Sequence, residues 1–524
     1  MVVTEPSAQR LEALLKRLPE AYPGPGGAIA VLRRGEVIAR HAWGYANAER
    51  RIPFTPATLF RVCSITKQFT CATVLSAFGA PEALDRAVAA RLPLLGHRAP
   101  PARLLCHNQS GLRDYWAVAM LQGSPVEAPF GDHESARLIG ATRSLQFAPG
   151  THASYANQNF RLLADAAADV SGRSFATLLR RHVLEPAGMA TAFLAADTRA
   201  MPDGTEGYEG TVETGFRAAE NRILWTGDAG LGASLDDLIA WERHIDATRD
   251  DPDSLHARLG GPVAFACGAP ARYGFGLARR EELGRVVLGH GGALRGWRSH
   301  RFYAPAERVS VIAFLNHLGD SGAMASEAFA ATLGLDPPKP DPARPPPAWL
   351  GAWRDPATGL SARLDRGEPG TIRLRYGQVA ETLWLRPDGA AEANGTRLVP
   401  EAGAVLMTRA GENLATRLLP VPGVPKPDIA GTWACAELDA TLTIADAGGA
   451  LYGAFSGFLG QGRMERLIPI GADAGAELWA LPCPRALDHT PPGDWTLSVA
   501  REGGRPTAIT VGCWLARGLM YTRA

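Results

Sequence analysis

Residues 58–69 read Thr-Leu-Phe-Arg-Val-Cys-Ser-Ile-Thr-Lys-Gln-Phe, and the pattern Ser64-Ile65-Thr66-Lys67 within them decides the fold. A serine and a lysine three positions apart on a helix share one face, so the amine can reach the hydroxyl. A serine in the first turn also lies near the positive end of the helix dipole, which favours a developing alkoxide. Ser64 is therefore the candidate nucleophile, and Lys67 is a candidate for proton transfer.

Lysine is rare in this chain, which makes Lys67 a stronger candidate for a catalytic role. Lysine and arginine together number 54, but only four of these residues are lysines: Lys16, Lys67, Lys339 and Lys426. Lys67 alone lies inside the main domain, among apolar neighbours. A desolvated lysine can release its proton, whereas an arginine cannot.

The composition excludes several classes of protein. The chain has 524 residues, is 46% hydrophobic and carries a net charge of +1, which favours a large folded core and excludes global disorder. The balanced charge does not indicate the excess of basic residues that is typical of proteins binding nucleic acid or an anionic membrane. No apolar run is long enough to span a bilayer, the start lacks an apolar signal region, and the seven cysteines form no CxxC pair. We expect a cytoplasmic protein with no nucleic-acid or membrane partner.

Two proline-rich stretches, 336–347 and 419–427, are predicted to be linkers. They divide the chain into segments 1–335, 348–418 and 428–524. After an N-terminal helix, the first segment shows a strand pattern, then helical patterns and again strands, which favours an α+β fold. Its N-terminal helix is expected to begin with Ser7 as N-cap.

The two later segments are rich in short alternating runs, which are typical of small antiparallel β-barrels. Trp349-Leu350-Gly351-Ala352-Trp353 recurs as Ile429-Ala430-Gly431-Thr432-Trp433, which indicates a duplicated unit. Because the candidate catalytic residues precede residue 336 and a stiff linker follows, we expect the barrels to affect substrate choice more than the chemistry.

Two further motifs accompany the serine. Tyr155-Ala156-Asn157 follows a Pro-Gly turn and precedes a helix, a loop position suited to catalysis, whereas Tyr45-Ala46-Asn47 ends a hairpin and is interpreted as structural. His290-Gly291-Gly292 follows an apolar strand, and its glycines allow a substrate backbone to approach closely.

These three motifs, in this order, resemble those of the penicillin-recognising serine hydrolases, which include class C β-lactamases, DD-peptidases and related esterases. The resemblance implies a catalytic domain with an antiparallel sheet and helices. Most β-lactamases and DD-peptidases have Lys-Thr-Gly where this chain has His290-Gly291-Gly292. That lysine suits a substrate carboxylate, so its replacement by a neutral or switchable histidine argues against those two activities.

The His-x-Gly variant followed by two barrels resembles the D-stereospecific aminopeptidases of this superfamily. The resemblance implies an acyl-enzyme exopeptidase that releases N-terminal D-residues from small peptides, amides or esters. The preference for the D-enantiomer comes from this resemblance alone. Inhibition by β-lactams and a homodimer are further expectations.

The resemblance also implies roles for the site residues. Ser64 attacks the carbonyl, and Lys67 and Tyr155 share the proton transfers; which of the two is the base in acylation stays open, because the pair titrates as a unit. The backbone N–H groups of Ser64 and of Ala293, just after Gly292, form the oxyanion hole. Asn157 holds the substrate amide and Lys67, and His290 positions Tyr155 or the leaving group. Water completes the reaction, so no cofactor is needed.

An aminopeptidase must also recognise a free ammonium, and an acidic side chain at the closed end of the cleft would do so. In the architecture that the resemblance implies, a loop of the last barrel reaches the cleft with such a residue. The long turn at 483–492 is the candidate loop, with Asp488 as the acid and Asp494 as its substitute.

The sequence patterns of several other enzyme classes are absent from the chain. The chain has no Walker pattern and no His-Glu-x-x-His, and its histidines show no metal-ligand spacing. The remaining alternatives are an esterase or D-amino-acid amidase that uses the same Ser64 chemistry, a DD-peptidase or β-lactamase type of enzyme, and a binding module on an inactive hydrolase scaffold.

Overall fold

The computed structural model describes residues 5–488 and 491–524. The centre of the first domain is an antiparallel sheet in which the first and last strands of the domain's sequence lie side by side. Its strands, in spatial order, are Tyr273–Gly274, Leu277–Glu282, Arg285–Leu294, Trp297–Ala304, Val309–Leu315, Gly26–Arg33, Glu36–Asn47 and Ile52–Pro53.

The two neighbouring strands Gly26–Arg33 and Val309–Leu315 are buried almost throughout, because helices cover both faces of the sheet. Alternation along Gly26–Arg33 assigns each residue to a face: Ile29 packs with the helices Glu5–Ala21 and Ser321–Leu333, whereas Ala28 packs with the core around Thr66–Phe78. The Ser64 segment therefore lies on the second face.

Two helices, Glu5–Ala21 and Ser321–Leu333, cover the first face. The other helices of this domain lie on the second face or at its periphery: Thr66–Phe78, Asp85–Ala90, Ala102–Cys106, Tyr115–Leu121, Asp132–Gly140, Asn157–Ser171, Phe175–Leu179, Leu235–Thr248 and Leu255–Leu259. The short 3-10 turns are Cys63–Ile65, Pro81–Leu84 and Gly96–Arg98, and Arg180–Leu184 is a π-helical turn. Among the described residues the first helix covers Glu5–Ala21, so Ser7 lies inside it. The prediction that Ser7 caps the helix is wrong, because the helical backbone includes the two residues before it.

Small sheets complete the first domain. They are Phe60–Arg61 with Leu231–Ala233 and Phe193–Leu194, Tyr208–Thr211 with Gly215–Ala218, and Val263–Ala264 with Pro270–Ala271.

A closed antiparallel barrel follows the first proline-rich stretch. Its strands are Gly351–Arg354, Ser361–Arg366, Thr371–Arg375, Glu381–Leu385, Ala391–Ala393, Thr396–Glu401, Ala404–Arg409 and Leu414–Pro420. Buried and exposed residues alternate along its strands, as in Leu414–Pro420, so one face of every strand fills the barrel.

The last sheet is also antiparallel and curls on itself. Its strands are Gly431–Cys435, Ala440–Asp446, Leu451–Gly457, Gly460–Gln461, Glu465–Arg466, Ile468–Ala472, Glu477–Leu481, Trp495–Glu502, Arg505–Cys513 and Ala516–Arg523. The segment 465–472 pairs with Leu451–Gly457 at its start and with Glu477–Leu481 at its end, which joins the two sides of the sheet. The predicted α+β fold with two barrel-like units is confirmed.

The barrels dock directly onto the first domain, beside the candidate site. The backbone N–H of Asp114 donates to the carbonyl of Leu515 (2.9 Å), and the Ser154 hydroxyl donates to the carbonyl of Trp514 (3.4 Å). Loops at the strand ends of the last barrel therefore accept hydrogen bonds from the catalytic domain. That the barrels affect substrate choice more than the chemistry stays a prediction.

Within residues 5–488 and 491–524, no helix has both the length and the hydropathy that crossing a bilayer requires. The same residues contain no cluster of side chains suited to hold a metal ion.

Candidate active site

Ser64 lies in the 3-10 turn Cys63–Ile65 that leads into the helix Thr66–Phe78. Cys63 has φ 51°, a left-handed conformation that is uncommon for a residue with a side chain, so the chain turns sharply just before the serine. The Thr66 hydroxyl fastens this turn: it donates to the Cys63 carbonyl (2.6 Å) and accepts from the N–H of Leu231 (2.9 Å). Ser64 is thus held at a fixed turn on the wall of a cleft.

Lys67 is completely buried, and its ammonium has three acceptors. Nζ donates to Ser64 Oγ (3.0 Å), to Asn157 Oδ1 (2.8 Å) and to the backbone carbonyl of Asp228 (2.7 Å). Burial lowers the pKa of Lys67 from its usual value to about 8. A neutral amine has two N–H groups and one lone pair, so with Asn157 and Asp228 keeping the N–H groups, the lone pair faces Ser64.

Tyr155 approaches the same oxygen from another side. Its hydroxyl donates to Ser64 Oγ (2.9 Å), and its ring centroid lies 4.8 Å from Lys67 Nζ. Burial is the main cause that raises the pKa of Tyr155 well above its usual value. Tyr155 therefore keeps its proton near neutral pH, and Lys67 is the group of this pair that loses one more readily.

Asn157 links Lys67 to a buried carboxylate. While its Oδ1 accepts from Lys67, its Nδ2 and its backbone N–H donate to Asp114 Oδ2 (2.9 and 2.6 Å). Asp114 in turn caps the helix Tyr115–Leu121. Because an ammonium only donates and a carboxylate only accepts, the orientation of the Asn157 amide is fixed by its neighbours.

His290 is neutral and firmly held. Its Nδ1 lies 2.5 Å from the Gly291 carbonyl, which can only accept, so the proton is on Nδ1 and Nε2 accepts from the Tyr273 hydroxyl (3.1 Å). Burial is the main cause that lowers the pKa of His290 to about 3, with a smaller contribution from Lys67. Its ring lies 6.0 Å from that of Tyr155, between centroids, so it contacts the catalytic group by packing.

Gly292 explains how the strand Arg285–Leu294 comes close to the nucleophile. A Cβ at this position would lie 2.3 Å from the Val62 carbonyl oxygen and 2.2 Å from Ser299 Oγ, which itself donates to that carbonyl (2.8 Å). Only glycine allows this approach. It places Ala293, which follows directly, on the wall of the cleft that holds Ser64.

The cleft has a volume of about 660 Å³ and is lined by residues from all three parts of the chain. Asp488 lines it from the last barrel and is only 8% exposed, and Gln378 lines it from the first barrel. Asp494 lies instead in a separate cavity between the two barrels, which also contains Arg375. The cleft thus has Ser64 near its wall and a carboxylate from another domain within the same space.

Comparison with known proteins agrees with this arrangement. The beta-lactamase family matches residues 11–336, and the family described as D-aminopeptidase, domain B matches residues 342–522. The D-aminopeptidase of Gluconobacter oxydans (strain 621H) is 55% identical over 522 residues, which are 98% of each chain. The D-aminopeptidase of Brucella ovis is 45% identical over 514 residues, again 98% of each chain. This chain belongs to the D-aminopeptidase family.

Solved structures share the fold of this D-aminopeptidase family member. The octameric penicillin-binding protein homologue from Pyrococcus abyssi superposes with a TM-score of 0.53 at 21% identity, over 78% of this chain and 99% of that one. The D-amino acid amidase from Ochrobactrum anthropi SV3, complexed with L-phenylalanine amide, gives a TM-score of 0.51 at 18% identity, over 63% and 99%. At these identities the likeness concerns the fold alone.

The structure brings together every residue that the sequence singled out in this D-aminopeptidase family member, except the substitute Asp494. Ser64, Tyr155, Asn157, His290, Gly292, Ala293 and Asp488 line the cleft, and Lys67 lies directly behind Ser64.

Sequence reasoning missed three residues that hold the site. Asp228 acts through its backbone carbonyl, which leaves no side-chain signature. Asp114 could have been found, because an acid just before an apolar helix pattern is a typical cap. Tyr273 lies in the stretch Tyr273-Gly274-Phe275-Gly276-Leu277, which carries no local sign of a hydrogen bond to His290, 17 residues later.

Proposed function

We propose that this chain releases N-terminal D-residues from small peptides, amides or esters through an acyl-enzyme on Ser64. The observation that supports this most is the pair of hydrogen bonds on Ser64 Oγ, from Lys67 Nζ (3.0 Å) and from Tyr155 (2.9 Å), inside the cleft that Asp488 lines. The D-aminopeptidases that match across the whole chain support the substrate class.

In this mechanism Lys67 is the base of acylation. The neutral amine accepts the Ser64 proton along the 3.0 Å contact as Oγ attacks the carbonyl carbon. The lowered pKa of Lys67 and the raised pKa of Tyr155 favour this assignment over a tyrosinate base. Tyr155 then passes its proton to the leaving nitrogen or oxygen, and the proton that Lys67 took from Ser64 returns to the Tyr155 oxygen, so both groups regain their starting states.

The remaining groups stabilise and orient the reacting carbonyl. The backbone N–H groups of Ser64 and Ala293 hold the developing oxyanion. Asn157 keeps Lys67 in place and contacts the substrate amide, while neutral His290 packs beside Tyr155. Water attacks the acyl-enzyme in the second half of the reaction, and no cofactor takes part.

Asp488 gives the enzyme its exopeptidase character in this proposal. Its carboxylate pairs with the free ammonium of the substrate at the end of the cleft, where a desolvated ion pair is strong. An N-acylated substrate has no positive charge to offer and would leave Asp488 facing a neutral group. The loop that carries Asp488 also limits the space for longer N-terminal extensions.

The test compares kcat/KM for D-alanine p-nitroanilide, L-alanine p-nitroanilide and N-acetyl-D-alanine p-nitroanilide. We expect the free D-substrate to be preferred over both others. Asp488→Asn should reduce the preference for the free amine over the N-acetyl substrate by about 30-fold or more, which corresponds to about 2–4 kcal/mol for a desolvated charge pair.

Asp494→Asn is the matched control. It makes the same substitution six residues away, in the separate cavity, and should leave the preference unchanged. Faster turnover of the L-substrate would contradict the proposed stereospecificity. An unchanged ratio in Asp488→Asn would show that this carboxylate does not meet the ammonium.

Three finer points belong to the same proposal. We propose that β-lactams inhibit the enzyme by acylating Ser64, that it forms a homodimer, and that it works in the cytoplasm. All seven cysteines are unpaired, which suits a reducing compartment. Competition with a chromogenic β-lactam, light scattering and cell fractionation test these points separately.

A further inference from the structure

The arm that carries Asp488 crosses from the last barrel onto the catalytic domain. After the strand Glu477–Leu481 it runs without regular secondary structure to a turn at Leu487. Leu487 is 1% exposed and forms part of the hydrophobic core of the catalytic domain, and Ala486 beside it is fully buried. The arm is therefore anchored immediately before Asp488.

Arg295 of the catalytic domain holds the backbone of this arm. It is 2% exposed, and its Nη2 donates to the Ala486 carbonyl (3.0 Å) and to the Val126 carbonyl (3.2 Å). Its Nη1 donates to the Glu220 carbonyl (2.6 Å), and its Nε lies 3.7 Å from a carboxylate oxygen of Glu209. One guanidinium thus ties the arm to three other segments.

The chemistry of arginine suits this task. Its planar guanidinium offers five donors spread over three nitrogens in a fixed arrangement, whereas the three donors of a lysine all leave one nitrogen and cover a smaller span. Hydrogen bonds from a charged donor are about twice as strong as neutral ones, and loss of the donor would leave buried carbonyls unpaired. The backbone two residues before Asp488 is consequently fixed.

Arg295 also follows directly after the strand Arg285–Leu294, which carries His290, Gly292 and Ala293. The residue that holds the arm and the residue proposed for the oxyanion hole therefore lie at the end of the same strand. A second, more exposed contact assists: Arg485 forms an ion pair with Glu127 (2.6 Å). Half-exposed pairs of this kind contribute little on their own.

We propose that Arg295 is a positioning residue for amine recognition: it fixes the arm so that the Asp488 carboxylate stays at the ammonium end of the cleft. This inference rests on the proposed role of Asp488. Arg295 touches no substrate in this account and acts through the Ala486 backbone. The preference for a free N-terminal amine is thus set by a residue of the catalytic domain as well as by the barrel that supplies the acid.

The test measures the ratio of kcat/KM for D-alanine p-nitroanilide over the N-acetyl substrate in Arg295→Lys and Arg295→Met. We expect this ratio to fall at least tenfold in Arg295→Met, mainly through a higher KM for the free amine, and less in Arg295→Lys. The double variant with Asp488→Asn should lose little beyond Asp488→Asn alone, because both changes remove one interaction.

Glu437→Gln is the matched control. Glu437 pairs with Arg113 (3.0 Å) and joins the same two domains away from the arm. Glu437→Gln should leave the ratio of kcat/KM for the two substrates unchanged. A lower ratio in this variant would show that any loosening of the contact between the domains lowers it.

Hydrogen exchange of residues 483–494 gives a readout that does not depend on Asp488. Arg295→Lys keeps the positive charge and is included in case Arg295→Met does not fold. It should speed hydrogen exchange in this segment, whereas Asp488→Asn should not. Arg485→Met tests the arm from its exposed side and should shift the ratio in the same direction, by less.

The outcomes separate the two proposals. If Asp488→Asn lowers the ratio but both Arg295 variants keep the wild-type ratio and exchange rates, the inference about Arg295 is overturned and the proposed function stands. If Asp488→Asn leaves the ratio unchanged, the proposed ammonium contact fails. Additive losses in the double variant would also overturn the inference, because Arg295 would then act independently of Asp488.

Discussion

The lowered pKa of Lys67 predicts how the reactivity of Ser64 depends on pH. With a folded-state pKa of about 8, roughly a tenth of the lysine is neutral at about pH 7, half at about pH 8 and nine-tenths at about pH 9. Since the neutral amine is the proposed base, the acylation rate should rise about tenfold from pH 7 to pH 9 and then level off. His290, with a pKa of about 3, adds no step in this range.

The assay needs a reagent that does not titrate itself. A free-amine substrate loses its own proton near pH 8 and would mix two titrations. An uncharged sulfonyl fluoride avoids this problem, and its rate of covalent labelling reports the activation of Ser64 directly.

Lys67→Arg provides the decisive comparison. The guanidinium keeps a positive charge but cannot act as a base, so labelling should slow by about 10²–10⁴-fold and lose its rise with pH. Lys67→Met and a thermal melt of each variant control for packing. A wild-type rate that is flat from about pH 6.5 to 9.5, or an arginine variant within tenfold of wild type, would refute the reasoning.

Two further variants test the support of the site. Gly292→Ala should lower the free energy of unfolding by about 1–3 kcal/mol and suppress turnover, because the added carbon would lie 2.3 Å from the Val62 carbonyl oxygen. Gly291→Ala should have a smaller effect, because its added carbon would lie no closer than 3.2 Å to any atom. Equal stability of the two variants in urea unfolding would contradict the close approach at Gly292. Tyr273→Phe removes the donor to His290 Nε2 and leaves a buried acceptor unpaired, so it should cost about 1–3 kcal/mol of stability in the same assay. A Tyr273→Phe variant as stable as wild type would mean that this hydrogen bond does not hold the ring.

The catalytic centre could be predicted because its residues belong to short sequence motifs. The spacing of Ser64 and Lys67 predicts their contact, which the 3-10 turn Cys63–Ile65 and the helix after it provide. The polar stretch at the start of a helix identifies Tyr155 and Asn157. Alternation along the late strands was likewise enough to predict barrels, because a period of two residues requires one buried face.

The supports of the centre could not be predicted, for physical reasons. Asp228 accepts from Lys67 through its backbone, which every residue possesses, and Arg295 donates to backbone carbonyls on three separate segments. The docking of Leu515 against Asp114 also uses main-chain groups. Such contacts depend on how distant segments fold together, and neither composition nor periodicity encodes them.

The central claim is that a D-aminoacyl group is transferred to Ser64. Rapid acid quench of the enzyme with D-alanine methyl ester, followed by proteolysis and mass spectrometry, tests it directly. The account predicts a D-alanyl group on the peptide that contains Ser64, far less of it with the L-ester, and neither adduct nor turnover in Ser64→Ala. An adduct on a different residue, or Ser64→Ala that retains more than about a tenth of wild-type turnover, would contradict the account.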